Sequence, residues 1–304
     1  MGPIRSELRA KGRPARCAVC VCAMASSSSE DESGPAAKRV CVRNVGTKLE
    51  HKSCESVMAT LNQEVDLIVA DPPYESVVSA SWDQYKYDEY KNFTKRWLAL
   101  AVQALRPGGV LLIYGSPERT WISRIAVMLE DELNMEVKQQ LAWVYNQGGG
   151  SRVSSMKKLA VQHELLLWAQ KPGGAQTFNA ADCVEHYRED ERAVALAKGK
   201  GRVSESSLDR GRPPRTFLDF PRENARSKER SYGQHPSMKP LALCEHLIKL
   251  FSNESDLVLV PFAGSGSEML SAAKLGRRCV GCEVSSEYCD LIRRRFAGHE
   301  LELD

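Results

Sequence analysis

Asp256-Leu-Val-Leu-Val260-Pro-Phe-Ala-Gly-Ser-Gly266 is a short apolar run that meets a glycine turn, and a helical pattern follows as far as Leu275. Arg278-Cys-Val-Gly-Cys-Glu283 comes next, a strand pattern that ends in an acid. Strand, glycine turn, helix, strand and terminal acid together make the mononucleotide-binding half of a Rossmann-like unit. Gly264 and Gly266, flanked by Phe262 and Ser265, let the backbone approach a ligand, and Glu283 is placed to hold both hydroxyls of a ribose. Met269 stands where the third glycine of a dinucleotide fingerprint would fall. That spacing argues against a pyrophosphate and for a cofactor with an adenosine but no phosphates, a description that S-adenosylmethionine satisfies. The same pattern also fits an ordinary strand-to-helix turn, so the rest of the chain must decide.

Upstream, the elements alternate. Val65-Asp-Leu-Ile-Val-Ala70, Val110-Leu-Leu-Ile-Tyr114 and Leu141-Ala-Trp-Val-Tyr145 read as buried strands, with a fourth over Glu164–Ala169. Tyr90, Phe93, Trp97, Ala101 and Leu105 recur at helical spacing until Pro107-Gly-Gly109. Further helices are predicted over Leu241–Phe251 and Glu287–Phe296. Strands alternating with helices predict an α/β fold with a Rossmann-like, doubly wound parallel sheet.

Asp71-Pro-Pro-Tyr74 follows the first of these strands directly. Ligands bind at the carboxyl ends of strands in open α/β sheets, so the tetrapeptide is positioned for chemistry. Pro72 and Pro73 fix φ and remove two backbone donors, leaving rigid carbonyl acceptors beside the Asp71 carboxylate. An amino group needs acceptors, and Tyr74 offers a flat face on which an extruded base can stack. A plain proline turn with a capping Asp is the competing reading.

These residues resemble the amino-methyltransferases of bacterial restriction-modification type, in their β-class order with Asp-Pro-Pro-Tyr first and the cofactor glycines late. The likeness spans Asp66 to Phe296 and includes Leu105-Arg-Pro-Gly-Gly109, Gly115-Ser-Pro117, His235-Pro-Ser-Met-Lys-Pro240 and Gly281-Cys-Glu283 to Tyr288. It implies an S-adenosylmethionine-dependent enzyme acting on an exocyclic amine of a DNA base, with catalytic Asp71, Pro72, Pro73 and Tyr74. It also implies that His235 and Lys239 frame the methionine end of the cofactor, and that residues 148–232 form an inserted target-recognition region within a catalytic domain of residues 45–298. Two positions depart from the family. Its usual Asp before the Pro-Phe pair, which contacts the cofactor's methionine amino group, is Val260 here, and its Thr-Thr after the glycines is Ser267-Glu268. Glu268 suits the first turn of a helix and is a candidate replacement for the missing carboxylate.

Asp71 at the first catalytic position leans to adenine N6 in this family, where Ser leans to cytosine N4. Cytosine N4 is the runner-up, because both amines present the same geometry to Asp71. A nucleic-acid-binding relative with weak catalysis is the reading from another class. The expected chemistry is positional: Asp71 and the Pro72 carbonyl accept the two N–H bonds and expose the nitrogen lone pair for in-line attack on the methyl group.

The 304 residues carry a net charge of +3, too mild to identify a polyanion binder. The charge is unevenly spread: Arg192–Arg230 holds eleven Lys and Arg against five Asp and Glu. Arg210, Arg212, Arg215, Arg222, Arg226 and Arg230 have only Asp219, Glu223 and Glu229 among them, and are therefore expected to contact DNA phosphates. Residues 1–44 read as a disordered leader, and 299–304 as a tail. Pro35-Ala-Ala-Lys-Arg-Val40 resembles a basic import signal, hence an expected nuclear location, against the alternative of a solvated tail. Cys17, Cys20 and Cys22 lack a second ligand cluster, so no metal is expected. The ten cysteines read as reduced thiols, no membrane span is expected, and a homodimer is compatible with the sequence.

Overall fold

The computed structural model describes residues 46–75, 83–145, 157, 159–199 and 203–304. The expected leader with its basic signal and Cys17, Cys20 and Cys22, and Gly148–Gly150, lie outside the described residues. Val42–Asp304 forms one compact unit. Its elements are β1 (Thr47–Glu50), α1 (Cys54–Met58), β2 (Val65–Ala70), α2 (Tyr87–Ala104), β3 (Leu105–Gly115), α3 (Trp121–Asp131), β4 (Glu136–Val144), β5 (His163–Gln170), α4 (Glu189–Lys198), α5 (Glu205–Asp209), β6 (Phe217–Asp219), α6 (Lys228–Ser231), α7 (Leu241–Phe251), β7 (Leu257–Val260), α8 (Ser267–Lys274), β8 (Arg278–Cys282) and α9 (Ser286–Gly298).

The strands form one eight-stranded sheet in the order β1-β8-β7-β2-β3-β5-β4-β6. Alternate residues of each strand feed opposite faces, as a two-residue period requires. Leu67 and Val69 of β2 and Val110, Leu112 and Tyr114 of β3 pack with α7, α8 and α9. Ile68 and Ala70, with Leu111 and Ile113, pack with α1, α2 and α3 on the other face. The sheet is doubly wound, and each fully buried Leu or Ile contributes ~1.5–3 kcal/mol.

The structure corrects one expectation. The sheet is not all parallel, because β5 runs antiparallel to both β3 and β4. Its continuous apolar run is what burial on both faces demands, and burial carries no information about direction. The stretch 148–232, expected as an inserted target-recognition region, also contributes to the sheet. It supplies β5 inside the sheet, and β6, which pairs parallel with β4. Leu218 is buried between exposed Phe217 and Asp219, and the Trp143 indole N–H donates to the Phe220 carbonyl at 2.7 Å, so this short strand is pinned to the core.

β2 leads on to β3 on one side, while β7 leads to β8 on the other. The crevice between β2 and β7 is therefore the point where strand order reverses, and both strands end there at the same edge. Asp71 follows β2 and Pro261 follows β7.

Candidate active site

Asp71 leaves β2 into a ring of charged and aromatic groups. Its Oδ2 accepts from Lys239 Nζ at 2.7 Å, and its Oδ1 accepts from the Tyr74 hydroxyl. Lys239, 2% exposed, also reaches Glu164 Oε2 at 3.1 Å, and Arg222 closes on Glu164 Oε1 at 3.0 Å. The Tyr74 hydroxyl lies 3.2 Å from Glu164 Oε2. Two carboxylates thus share one buried ammonium, and the guanidinium of Arg222 balances the second.

The charges follow. Burial raises the Asp71 carboxyl above its usual range and Glu164 adds to this, against the opposing pull of Lys239. Burial also works against ionised Glu164, but Lys239 and Arg222 outweigh it and hold that carboxyl low. Lys239 is raised despite burial by Asp71 and Glu164. The ammonium stays charged, and it opposes the rise that burial imposes on the Asp71 carboxyl.

The prolines behave unequally. The Pro73 carbonyl accepts from the Tyr90 hydroxyl at 2.5 Å, whereas the Pro72 carbonyl has no donor among the described residues. The loop is held from behind: the Tyr74 N–H donates to Asp83, and Glu75, in the left-handed region at φ 59°, accepts from the Trp121 indole at 2.7 Å.

A cavity of about 230 Å³ joins this loop to the glycine turn after β7, lined by Asp71, Tyr74, His235, Phe262, Glu268 and Glu283 among others. Phe262 meets Trp97 and Phe93 edge-on at 5.4 and 6.0 Å, which fixes its ring as a wall. Glu283 ends β8 and accepts from Gly264 N at Oε2 (2.8 Å) and from Val284 N and Ser285 N at Oε1 (2.9 and 2.8 Å). It therefore shapes the glycine turn, and burial raises its carboxyl. Gly264, at φ +50°, packs so closely on His235 that a Cβ would lie 3.0 Å from Nε2. His235 is neutral, its ring pushed down to about 3 by burial and by the neighbouring cations Lys239, Arg230 and Arg295.

Gly266 lies elsewhere than expected. It does not line the cavity; its φ of +75° opens α8, and a Cβ there would strike Ile292 of α9 at 2.8 Å. Ser265 lines the cavity, and its carbonyl accepts from Arg295 Nη1 at 2.6 Å. Arg295 is 1% exposed, and its Nε and Nη2 donate to Glu229 Oε2 at 3.0 and 2.7 Å. Lys239, expected to frame the methionine end of the cofactor, lines the cavity and has its ammonium bound to Asp71 and Glu164.

The six arginines separate into two groups. Arg212 pairs with Glu185 and Glu191, Arg215 with Glu185, and Arg222 with Glu164 while lying 3.8 Å over the Tyr145 ring. Arg230 donates to the carbonyls of Glu223 and His235. Only Arg210 and Arg226 are exposed with no ion-pair partner among the described residues. The local count of acids missed these partners because Glu164, Glu185 and Glu191 precede the basic stretch.

A family model described as DNA methylase, for N6 and N4 methyltransferases, matches residues 65–294. The chain belongs to this DNA methylase family. The DNA adenine methyltransferase YhdJ of Escherichia coli (strain K12) is 29% identical over 239 residues, which span 77% of this chain and 76% of that protein. The crystal structure of the M1.HpyAVI–SAM complex superposes with a TM-score of 0.59 at 25% identity, covering 82% of this chain and 98% of the other. The cytosine-N4-specific PvuII DNA methyltransferase shares the fold at a TM-score of 0.62 and 15% identity, covering 84% of this chain and 89% of the other.

Within this DNA methylase, Glu164, Tyr90 and the Glu229–Arg295 pair hold cavity-lining residues in place, and the sequence did not disclose those roles. Glu164 alone left a trace, as an acid opening the otherwise apolar Leu165-Leu-Leu-Trp168 strand. No described helix is long and apolar enough to cross a membrane, the described cysteines are free, and no metal-binding group forms among the described residues.

Proposed function

We propose that this chain transfers a methyl group from S-adenosylmethionine to the exocyclic N6 of adenine in DNA. The observation that carries the reading is the pair of acceptors at the cavity mouth, the Asp71 carboxylate and the undonated Pro72 carbonyl. The cavity suits the cofactor: an aromatic wall at Phe262 for adenine, and a buried Glu283 that keeps one acceptor position on Oε2 for a ribose hydroxyl. When bound, S-adenosylmethionine supplies an electrophilic methyl on a sulfonium.

The protein's own part is orientation. Both N–H bonds of the amine are accepted, one by Asp71 Oδ1 and one by the Pro72 carbonyl, which exposes the nitrogen lone pair. Lys239 stays on Oδ2 and favours the ionised form of the carboxyl against burial. The Tyr74 hydroxyl now holds Oδ1, so it yields that oxygen to the entering amine and leaves its ring as the stacking face. Asp71 Oδ1 then takes the proton that the alkylated nitrogen sheds. A paired base cannot reach this depth, so the base enters extruded from the duplex.

Cytosine N4 is the second reading, favoured by the fold shared with a cytosine-N4 enzyme and by the equal fit of its amine to Asp71 and Pro72. Mixed-sequence DNA incubated with methyl-labelled S-adenosylmethionine is expected to yield labelled N6-methyldeoxyadenosine on mass spectrometry. Label on N4 of deoxycytidine transfers the assignment to the second reading, and label on neither overturns both.

Backbone contact with DNA falls chiefly to Arg210 and Arg226, the two of the six that are exposed with no ion-pair partner among the described residues. Replacing both by Gln is expected to reduce the slope of log affinity against log salt by about two, at roughly 0.9 per lost phosphate contact. Replacing Arg212 and Arg215, whose charges are spent on Glu185 and Glu191, is expected to change it less. Equal changes from the two double variants would show that the ion pairs do not withhold those side chains.

A further inference from the structure

Four carboxylates line the cavity: Glu55, Asp71, Glu268 and Glu283. Three are committed. Glu55 pairs with Arg96 at 2.7 Å, Asp71 with Lys239 and Tyr74, and Glu283 with three backbone N–H groups. Glu268, in the first turn of α8, is 4% exposed, and its Oε1 has no hydrogen-bond partner in the structure. An unsatisfied carboxylate oxygen in such a place is costly unless a donor arrives with the ligand. β7 itself ends in the buried aliphatic side chain of Val260, which offers no acceptor.

S-adenosylmethionine carries two cations. Its sulfonium has no N–H, whereas the ammonium of its amino-acid end has three. Only the second can satisfy an empty carboxylate lone pair. We infer that Glu268 binds the ammonium group of the cofactor, deepening the reading given above and resting on it.

The surroundings agree. Burial raises the Glu268 carboxyl to about 7, with Asp71 adding to the rise and Lys239 and Arg295 opposing it. The other groups facing it are Cys244 of α7, Tyr114 of β3 and Cys279 of β8, all pushed upward by burial. In the free protein Glu268 is therefore about half protonated near neutrality, and binding an ammonium requires the ionised form. The sign is fixed: affinity rises with pH through about 7 and levels off above it. From pH 6 to 8 the ionised fraction, and with it the affinity, increases about tenfold.

The test is calorimetric and independent of turnover. Three ligands are titrated into wild type and Glu268→Gln: S-adenosylmethionine, S-adenosylhomocysteine, which keeps the ammonium but lacks the sulfonium charge, and 5′-methylthioadenosine, which lacks the amino acid. The variant is expected to bind the first two about 10–100-fold more weakly and the third equally well, as befits loss of one charge-assisted hydrogen bond. Equal binding of methylthioadenosine also shows the cavity is intact. The pH dependence is expected to vanish in the variant. Unchanged affinity for S-adenosylhomocysteine, or a pH dependence that survives the substitution, overturns the inference while the cofactor reading stands. Failure of wild type to bind any of the three overturns both.

Discussion

Asp71→Ala is expected to lower kcat by at least about 10²–10³-fold, the usual cost of removing one preorganised group from a transition state, and to leave S-adenosylmethionine affinity within a few-fold. In the proposed mechanism Asp71 is one of two acceptors for the amine, and Lys239 holds its other oxygen at 2.7 Å. The fold survives the change because Lys239 keeps Glu164 at 3.1 Å as a counter-charge. Asp71→Asn gives a finer reading: it retains the volume but presents an amide donor where the amine needs an acceptor, so it is expected to be nearly as inactive. Single-turnover transfer and cofactor titration on the same samples separate the two effects. Transfer near the wild-type rate in either variant removes Asp71 from the chemistry.

The second large effect concerns Glu229. Its removal strands the Arg295 guanidinium in the core, and breaking one side of such a buried pair costs ~3–5 kcal/mol. Arg295 also donates to the Ser265 carbonyl and to the Ser267 hydroxyl at 3.0 Å, so the glycine turn loosens with it. Glu229→Ala is expected to lower the urea midpoint at unchanged slope and to weaken cofactor binding in parallel. The pH dependence has a definite sign. Burial tends to raise the Glu229 carboxyl, but Arg295 and His299 overcome it and hold it below its ordinary value. A depressed carboxyl adds stability above its unfolded value, about 4.3, and that stability is lost as pH falls through the lower folded value. The wild type and variant should therefore converge in stability below about pH 4. A loss under 1 kcal/mol at neutral pH would mean that water reaches the guanidinium.

What could be read in advance follows the range of the forces. β2 and α7 fall at the predicted residues because a β-branched run and a helical period are local patterns. The apolar residues Trp121, Ile122, Ile125, Met128 and Leu129 of α3 carry the same kind of period, and that helix was legible but not read. The direction of β5 was not legible, since a strand buried on both faces looks identical either way. The arginine partners were invisible for another reason. Glu164 lies 58 residues from Arg222, and Glu185 lies 27 from Arg212, so counting neighbours in sequence overstates free charge. The pairing of Lys239 with Asp71 and Glu164 is not legible either, because a motif gives membership of a site and not the pairings inside it.

The pairing of β2 with β7 has a consequence for how the protein is made. Asp66 and Leu257 are hydrogen-bonded across 191 residues, so β2 has an open edge on that side until nearly the whole chain has been synthesised. At ribosomal rates of about 5–20 residues per second, that edge waits roughly 10–40 s for its partner. Contacts of such long sequence separation also fold slowly once available. Asp71-Pro-Pro-Tyr74 is thus synthesised long before the strand that completes its crevice, and a nascent chain stalled before residue 257 presents β2 with that edge unpaired.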